Sequence, residues 1–542
     1  MGYILLWIES LAVSLLLVAT LVACIGRLRR RWVRVVLSVL VMLVPLAAYA
    51  GLTSLAGAMK FAQGWPGTRF YQLLTLTMFY TVGAAWILCR GLRRRDEENR
   101  WAVAGSWPRR KLAIALGVAI ALHLTTFWNL DLAARQWLAA QRAEAGALAL
   151  SVAPPRVPDR DNAALIYQQA LEVMGPVESR NDGWDQKWEG WVSGKEPGFD
   201  PQEPKLREFL RQQTPVLILL RQAAQKPGCY FDRSYARPDP INLSVSELYH
   251  LRMAARLLSL DARVKAADGD LEAALVEVQA MFAMAQHVSS EPILISLLTS
   301  IAIERMAADT LEATLGTKPA SPLELGSLHV DPAVSYARCL AQAFRMEEAF
   351  DLSMCCQMGV AWDLSMFDPG STGGIRGAAS LYRVFLLSED VATLRQTMLK
   401  LHALAVQPYY RAKNDWQRLD KEVRGESGGF LARSLLPALL KCAEAAAEGD
   451  ARHRVVLVAV ALCRYRAAHN RFPDKLEDLT PEFLAAVPRD PFDGKPLKLK
   501  RTHGGLVIYS IGRDLADNGG TPLDREEKAG DVTFTLVDSG EW

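Results

Sequence analysis

Four apolar runs near the N-terminus constrain this chain more than any other feature. They span 3–25, 33–58, 70–89 and 112–128. Each is close to the roughly 20 residues that a helix needs to cross about 30 Å of hydrocarbon. The first lacks a basic start. It leads into an arginine-rich loop where a signal peptide would carry a small-residue cleavage site, so it reads as a retained span. The loop 26–34 carries five Arg and the loop 90–111 eight Lys and Arg, whereas 59–69 carries only Lys60 and Arg69. Basic loops stay in the cytoplasm. The sequence therefore predicts a multi-pass protein of the inner (plasma) membrane, in contact with lipid. Its N-terminus and its large C-terminal part would lie on the extracytoplasmic side. Glu9 and His123 stand inside the runs. A transporter would show more ionisable groups there, so 1–130 is expected to be a plain four-span anchor.

Half of the 542 residues are apolar and 22% are charged, which excludes a disordered polypeptide. Residues 1–135 hold sixteen Lys and Arg against five Asp and Glu, so the net charge of +3 leaves the remainder acidic by eight. No basic stripe follows the fourth run, and no nucleic-acid partner is expected. Eight Cys are too sparse for a disulfide scaffold. Six of them lie beyond the fourth run: Cys229, Cys339, Cys355, Cys356, Cys442 and Cys463. They read either as one or two disulfides in an oxidising compartment or as small buried hydrophobes.

The stretch 131–449 predicts an exported, irregular α-helical domain. Asp161-Asn162 is an N-cap signal for a helix over 163–174. Residues 175–204 are rich in Gly, Pro, Asp and Trp, with Trp184, Trp188 and Trp191 as an aromatic staple or a sugar- or peptide-binding loop. From 204 to 316 apolar residues recur at helical spacing, with helices expected over 244–267, from Asp268 to His287, and over 293–315. The segment Asp268-Gly-Asp-Leu-Glu-Ala-Ala-Leu275 between two of these helices resembles one tetratricopeptide-type hairpin, without a 34-residue repeat. The break Ser371-Thr-Gly-Gly-Ile-Arg-Gly377 lacks the lysine of a phosphate loop. Glu347, Glu348 and Asp351 fall on one helical face and read as solvated rather than catalytic.

The last part, 450–542, changes character. A helix over 450–469 ends at Asn470-Arg-Phe-Pro473. Strands follow at 498–500, 506–510 and 532–536, with turn signals at Asp493-Gly494 and Gly504-Gly505. Tyr465-Arg466, Phe472-Pro473, Asp490-Pro-Phe-Asp-Gly-Lys-Pro496, Tyr509-Ser-Ile-Gly512, Asp514, Gly519-Gly520 and Asp531 occur in that order. This stretch resembles the globular domain of the type II secretion major pseudopilins. The resemblance implies a small α+β pseudopilin-like domain and a Ca²⁺ site. Asp514 and Asp531 would be the side-chain ligands, with Asp517 as a further one. Hard cations need several oxygens in such a loop. Leu515 stands where the family has Gly. The internal position of the helix argues against assembly into a pilus.

The expected fold class is thus mainly α: four transmembrane helices, a helical exported domain, and a small pseudopilin-like end. That arrangement also looks like that of bacterial envelope membrane proteins. No H-E-x-x-H or C-x-x-C occurs. The functional expectation is a non-catalytic envelope scaffold or interaction protein, with a calcium-stabilised head and an envelope or secretion protein as partner. The alternative is an exported, membrane-anchored hydrolase whose site is assembled from residues distant in sequence.

Overall fold

The computed structural model describes residues 109–174, 199–233, 235, 243–317, 321–326, 328–361, 387–425, 430–522 and 529–537. The first three apolar runs, the basic loops, the Trp184/Trp188/Trp191 loop and the Gly-rich 371–377 break lie outside these residues. The fourth run lies in helix α1, Arg109–Val152. Among the described residues no helix is long and apolar enough to cross a membrane. The run itself is only 17 residues, with His123 inside it and Arg109, Arg110 and Lys111 directly before it. The same helix then carries Asp131 and Arg135, joined by a 2.8 Å ion pair. The expected four-span anchor and its multi-pass inner-membrane placement are corrected accordingly.

The remaining helices are α2 (Ala163–Met174), α3 (Pro204–Gln212), α4 (Thr214–Ala224), α5 (Ser246–Ala267), α6 (Leu271–Ser289), α7 (Leu294–Leu315), α8 (Pro322–Gly326), α9 (Tyr336–Ala361), α10 (Leu387–Ala405), α11 (Tyr409–Arg424) and α12 (Phe430–His469). Strands β1 (Lys498–Thr502), β2 (Gly505–Ser510) and β3 (Val532–Val537) form one antiparallel sheet in the order β1-β2-β3. Lys498 faces Tyr509 and Ser510 faces Val532 in the register.

The chain divides into two units: Met1–Ala143 with Met354–Thr397 and Lys421–Leu436, and Glu144–Ser353 with Met398–Asp420 and Pro437–Trp542. In the first, the Cys356 thiol donates to the Leu138 carbonyl at 3.3 Å and Arg395 to the Gln141 side chain at 3.1 Å.

The second unit holds the main core. Asn162 caps α2, its Oδ1 accepting from Ala164 N at 3.0 Å and from Tyr230 N at 2.8 Å. Asp270 caps α6 by accepting from Ala273 N. Leu251, Leu258, Leu275, Val278 and Met281 are fully buried between α5, α6 and neighbouring helices. Each such side chain contributes roughly 1.5–3 kcal/mol relative to exposure. The core does not stop at residue 449. Val456, Ala459, Leu462, Ile508 and Phe534 belong to one cluster with Ile303, Ala307 and Leu311. Glu312 of α7 accepts a hydrogen bond from Thr535 N of β3 at 2.9 Å. The sheet is thus one wall of the helical core.

Two sequence readings change here. The helix expected to start at Asp450 starts at Phe430. Gly449-Asp450 resembles a start signal, but Gly449 is inside the helix for packing. A Cβ there would lie 2.9 Å from Tyr336 and 3.1 Å from Ile301. The Glu347, Glu348 and Asp351 face is not solvated. Glu348 and Asp351 are buried, and burial pushes the Glu347 carboxyl up to about 7. Asp351 Oδ2 has no hydrogen-bond partner. His402 approaches Glu348 at 3.6 Å.

Candidate functional site

A cleft of about 630 Å³ opens in the second unit. Its volume lies in the range of small-ligand and short-peptide sites, roughly 300–1,000 Å³. Four stretches build it: the start of α9, the end of α10 with its turn into α11, the middle of α12, and Arg489–Asp490–Pro491. Ala443, Ala446 and Ala447 of α12 fall on one helical face and leave the space open. Trp416 forms an apolar wall and leans on Phe344, ring centroids 6.1 Å apart. Tyr409 packs edge-on against Phe492 at 5.5 Å. Tyr410 covers Gly494, where an added Cβ would lie 2.8 Å from its ring and φ is +75°. Gly494 is therefore required twice over, by its backbone angle and by this ring.

Two carboxyls and three guanidinium groups line the same cleft. Asp450 projects from α12 to the N-terminus of α9 and accepts from Tyr336 N at 2.6 Å. It satisfies a donor that a helix start leaves open. Asp490 accepts from Phe492 N at 2.9 Å, Ser510 Oγ at 2.8 Å and Ile511 N at 2.9 Å. Burial raises both carboxyls, and their hydrogen bonds oppose that shift. The guanidiniums are held by backbone carbonyls. Arg454 donates to Arg489 O at 2.7 Å, and Arg489 donates to Gly494 O at 3.0 Å. Arg454 is 3.7 Å from Asp450. Among the described residues, Arg338 has no ion-pair partner, and it is exposed. A backbone carbonyl positions a guanidinium without neutralising it, so Arg489 and the exposed Arg338 present cationic donors over apolar walls, whereas Asp450 offsets Arg454.

Beneath it lies a buried polar network. Tyr336 donates to Glu304, and His453 Nδ1 lies 2.7 Å from Glu304 Oε1. His453 Nε2 lies 2.8 Å from the Asp331 carbonyl. Nε2 faces a carbonyl that can only accept, and Nδ1 faces the Glu304 carboxyl, an arrangement that favours the imidazolium form. Burial alone would lower this pKa. The Glu304 carboxylate, its hydrogen bond and the Asp331 carbonyl outweigh burial and raise it.

The sequence-predicted metal ligands lie away from the cleft, in the turn between β2 and β3. Asp514 accepts from Ala516 N at 3.0 Å, and from Gly530 N and Asn518 Nδ2 at 2.8 Å each. Asp517 accepts from Gly519 N at 3.1 Å and Tyr509 OH at 3.2 Å, and faces Lys498 at 3.6 Å. Asp531 accepts from Asn518 N at 3.3 Å and Gly520 N at 2.6 Å. The fold brings all three into one turn, but N–H and O–H donors face their oxygens. Among the described residues no group of three or more His, Cys, Asp or Glu side chains has the arrangement to hold a metal ion. Within the turn these oxygens accept from its own N–H and O–H donors.

Cys229, Cys339, Cys355, Cys356, Cys442 and Cys463 are free. Burial pushes the Cys442 thiol up to about 11 and that of Cys463 to about 12, which suits small hydrophobes rather than nucleophiles. In the sequence Asp490 stands out only as part of the Asp490–Pro496 motif, and nothing there marks the cleft. No local pattern links positions 338, 416, 454 and 489. Compared with known proteins, the chain matches no family model, no curated protein and no solved structure.

Proposed function

We propose that this protein is a non-catalytic binding or scaffold protein that holds a partner segment in the α9–α12 cleft. One observation carries the reading. The cleft carries three guanidiniums against two carboxyls: Arg454 pairs with Asp450 at 3.7 Å, both carboxyls accept from backbone N–H groups, and among the described residues Arg338 has no ion-pair partner. Arg, Tyr and Trp are the residues that dominate recognition surfaces.

A photo-crosslinking residue in place of Val406, which is 74% exposed at the lip, tests the proposal in native cells. A discrete cross-linked partner is expected, and Ala446→Leu, which narrows the cleft, should abolish it. A second reading, a hydrolase, rests on the burial-raised Asp450 carboxyl in the same cleft. It is supported if no cross-link forms and a hydrolase screen finds turnover that Asp450→Asn removes. Calcium at Asp514, Asp517 and Asp531 remains the alternative tie for the β2–β3 turn.

A further inference from the structure

The geometry points to the ligand class: we infer that the cleft takes a short acidic peptide segment carrying one large apolar side chain. The inference rests on the binding reading above. The floor is apolar because α12 presents Ala443, Ala446 and Ala447 where larger side chains would close the space. Trp416 and Leu340 bound it. A single aromatic or long aliphatic side chain buries well against such walls, and that burial supplies affinity.

The rim supplies the charge preference. Arg338, Arg454 and Arg489 all line the cleft. Arg454 donates to one carbonyl and pairs with Asp450 at 3.7 Å, and Arg489 donates to one carbonyl. A guanidinium has five N–H donors in a fixed fork, so most remain available. That fork matches a carboxylate in a bidentate pair. Asp490 does not fill this role, because its oxygens already accept from Phe492 N, Ile511 N and Ser510 Oγ, and Asp450, which accepts from Tyr336 N, meets one of the three, Arg454, at 3.7 Å. A cationic segment would meet three guanidiniums and is excluded by like charge. A nucleic-acid backbone needs a longer basic track than one rim of three arginines, and the whole chain carries a net charge of only +3. The exposed lip at Val406 and Gln407 lets a chain enter and leave on that side.

The test is fluorescence polarisation with the full-length chain and three fluorescein-labelled probes. These are an acidic peptide Asp-Glu-Trp-Leu-Asp-Glu, its neutral isostere Asn-Gln-Trp-Leu-Asn-Gln, and a basic counterpart with Lys at the acidic positions. The acidic probe should bind saturably, and the isostere should bind about tenfold or more weakly. Arg338→Glu, at an exposed and unpaired side chain, should weaken the acidic probe by about tenfold without changing the melting temperature. Salt at about 1 M should weaken it likewise. If acidic and neutral probes bind equally and Arg338→Glu changes nothing, the charge inference is overturned while the binding reading stands. If no probe binds, the inference is overturned as well, and the Val406 cross-link alone decides whether a partner occupies the cleft.

Discussion

His287 and His453 are both buried, and their neighbours shift their pKa values in opposite directions. His287 Nε2 faces the Lys226 carbonyl at 2.9 Å and Nδ1 faces the Tyr167 hydroxyl at 2.9 Å. The carbonyl can only accept, so Nε2 carries the proton and Nδ1 accepts from the tyrosine. The neutral ring is satisfied, and burial lowers its pKa. Its contribution is therefore present above 6.5 and lost as pH falls. His453 meets two acceptors and has a raised pKa. Its contribution is complete below 6.5 and is lost as pH rises through the folded value. His453→Gln should cost about 3–5 kcal/mol at pH 6, because it leaves Glu304 buried without its cation. Urea titrations at pH 6 and pH 9 check this, and the cost should shrink at the higher pH. Glu347 follows the same sign for a different reason. Burial holds it at about 7 against 4.5 in an open chain, so it destabilises the fold as pH rises between those values. Glu347→Gln should raise the melting temperature at pH 8 and leave it nearly unchanged at pH 4.5. None of this was legible in sequence, where Glu347 reads as surface and His453 as one basic residue among Arg452 and Arg454.

At the scale of elements, apolar periodicity placed the helices well, and the Asp161-Asn162 start signal held because Asn162 caps α2. Helices α5, α6 and α7 lie close to their expected positions because apolar spacing over 19–22 residues has one helical solution. The three strands do as well, since turn residues delimit them. The helix expected from 450 starts at Phe430, and Asp450 inside it caps another helix, α9. Gly449→Ala measures the difference. In an exposed helix it would stabilise by up to about 1 kcal/mol. Here the new methyl meets Tyr336 and Ile301, so a loss of about 1–3 kcal/mol is expected from thermal melts. The β2–β3 turn offers another check. Asp514, Asp517 and Asp531 are satisfied by donors of their own turn, so EGTA should leave the melting temperature unchanged. A fall of several degrees, reversed by added calcium, would establish the ion instead.

For the whole molecule, the continuous core of the second unit has a measurable consequence. Phe534 of β3 is 1% exposed and shares a cluster with Leu311 of α7. Phe534→Ala should cost about 3–5 kcal/mol. The loss should appear at one common midpoint in helical circular dichroism and in tryptophan fluorescence if sheet and helices unfold together. Two separate transitions would show instead that 450–542 is independently stable.

The sequence by itself determined which segments are helix, strand or turn, because those choices depend on apolar period, caps and special backbone angles within a few residues. It also determined that Asp514, Asp517 and Asp531 belong to one turn. Only the tertiary structure decided what those elements face. It set Arg338, Trp416, Arg454 and Arg489 around one cleft, buried Glu347 and Asp351, and raised the His453 pKa. Solvation and ion pairing depend on the groups across an interface, and those groups lie a hundred or more residues away along the chain.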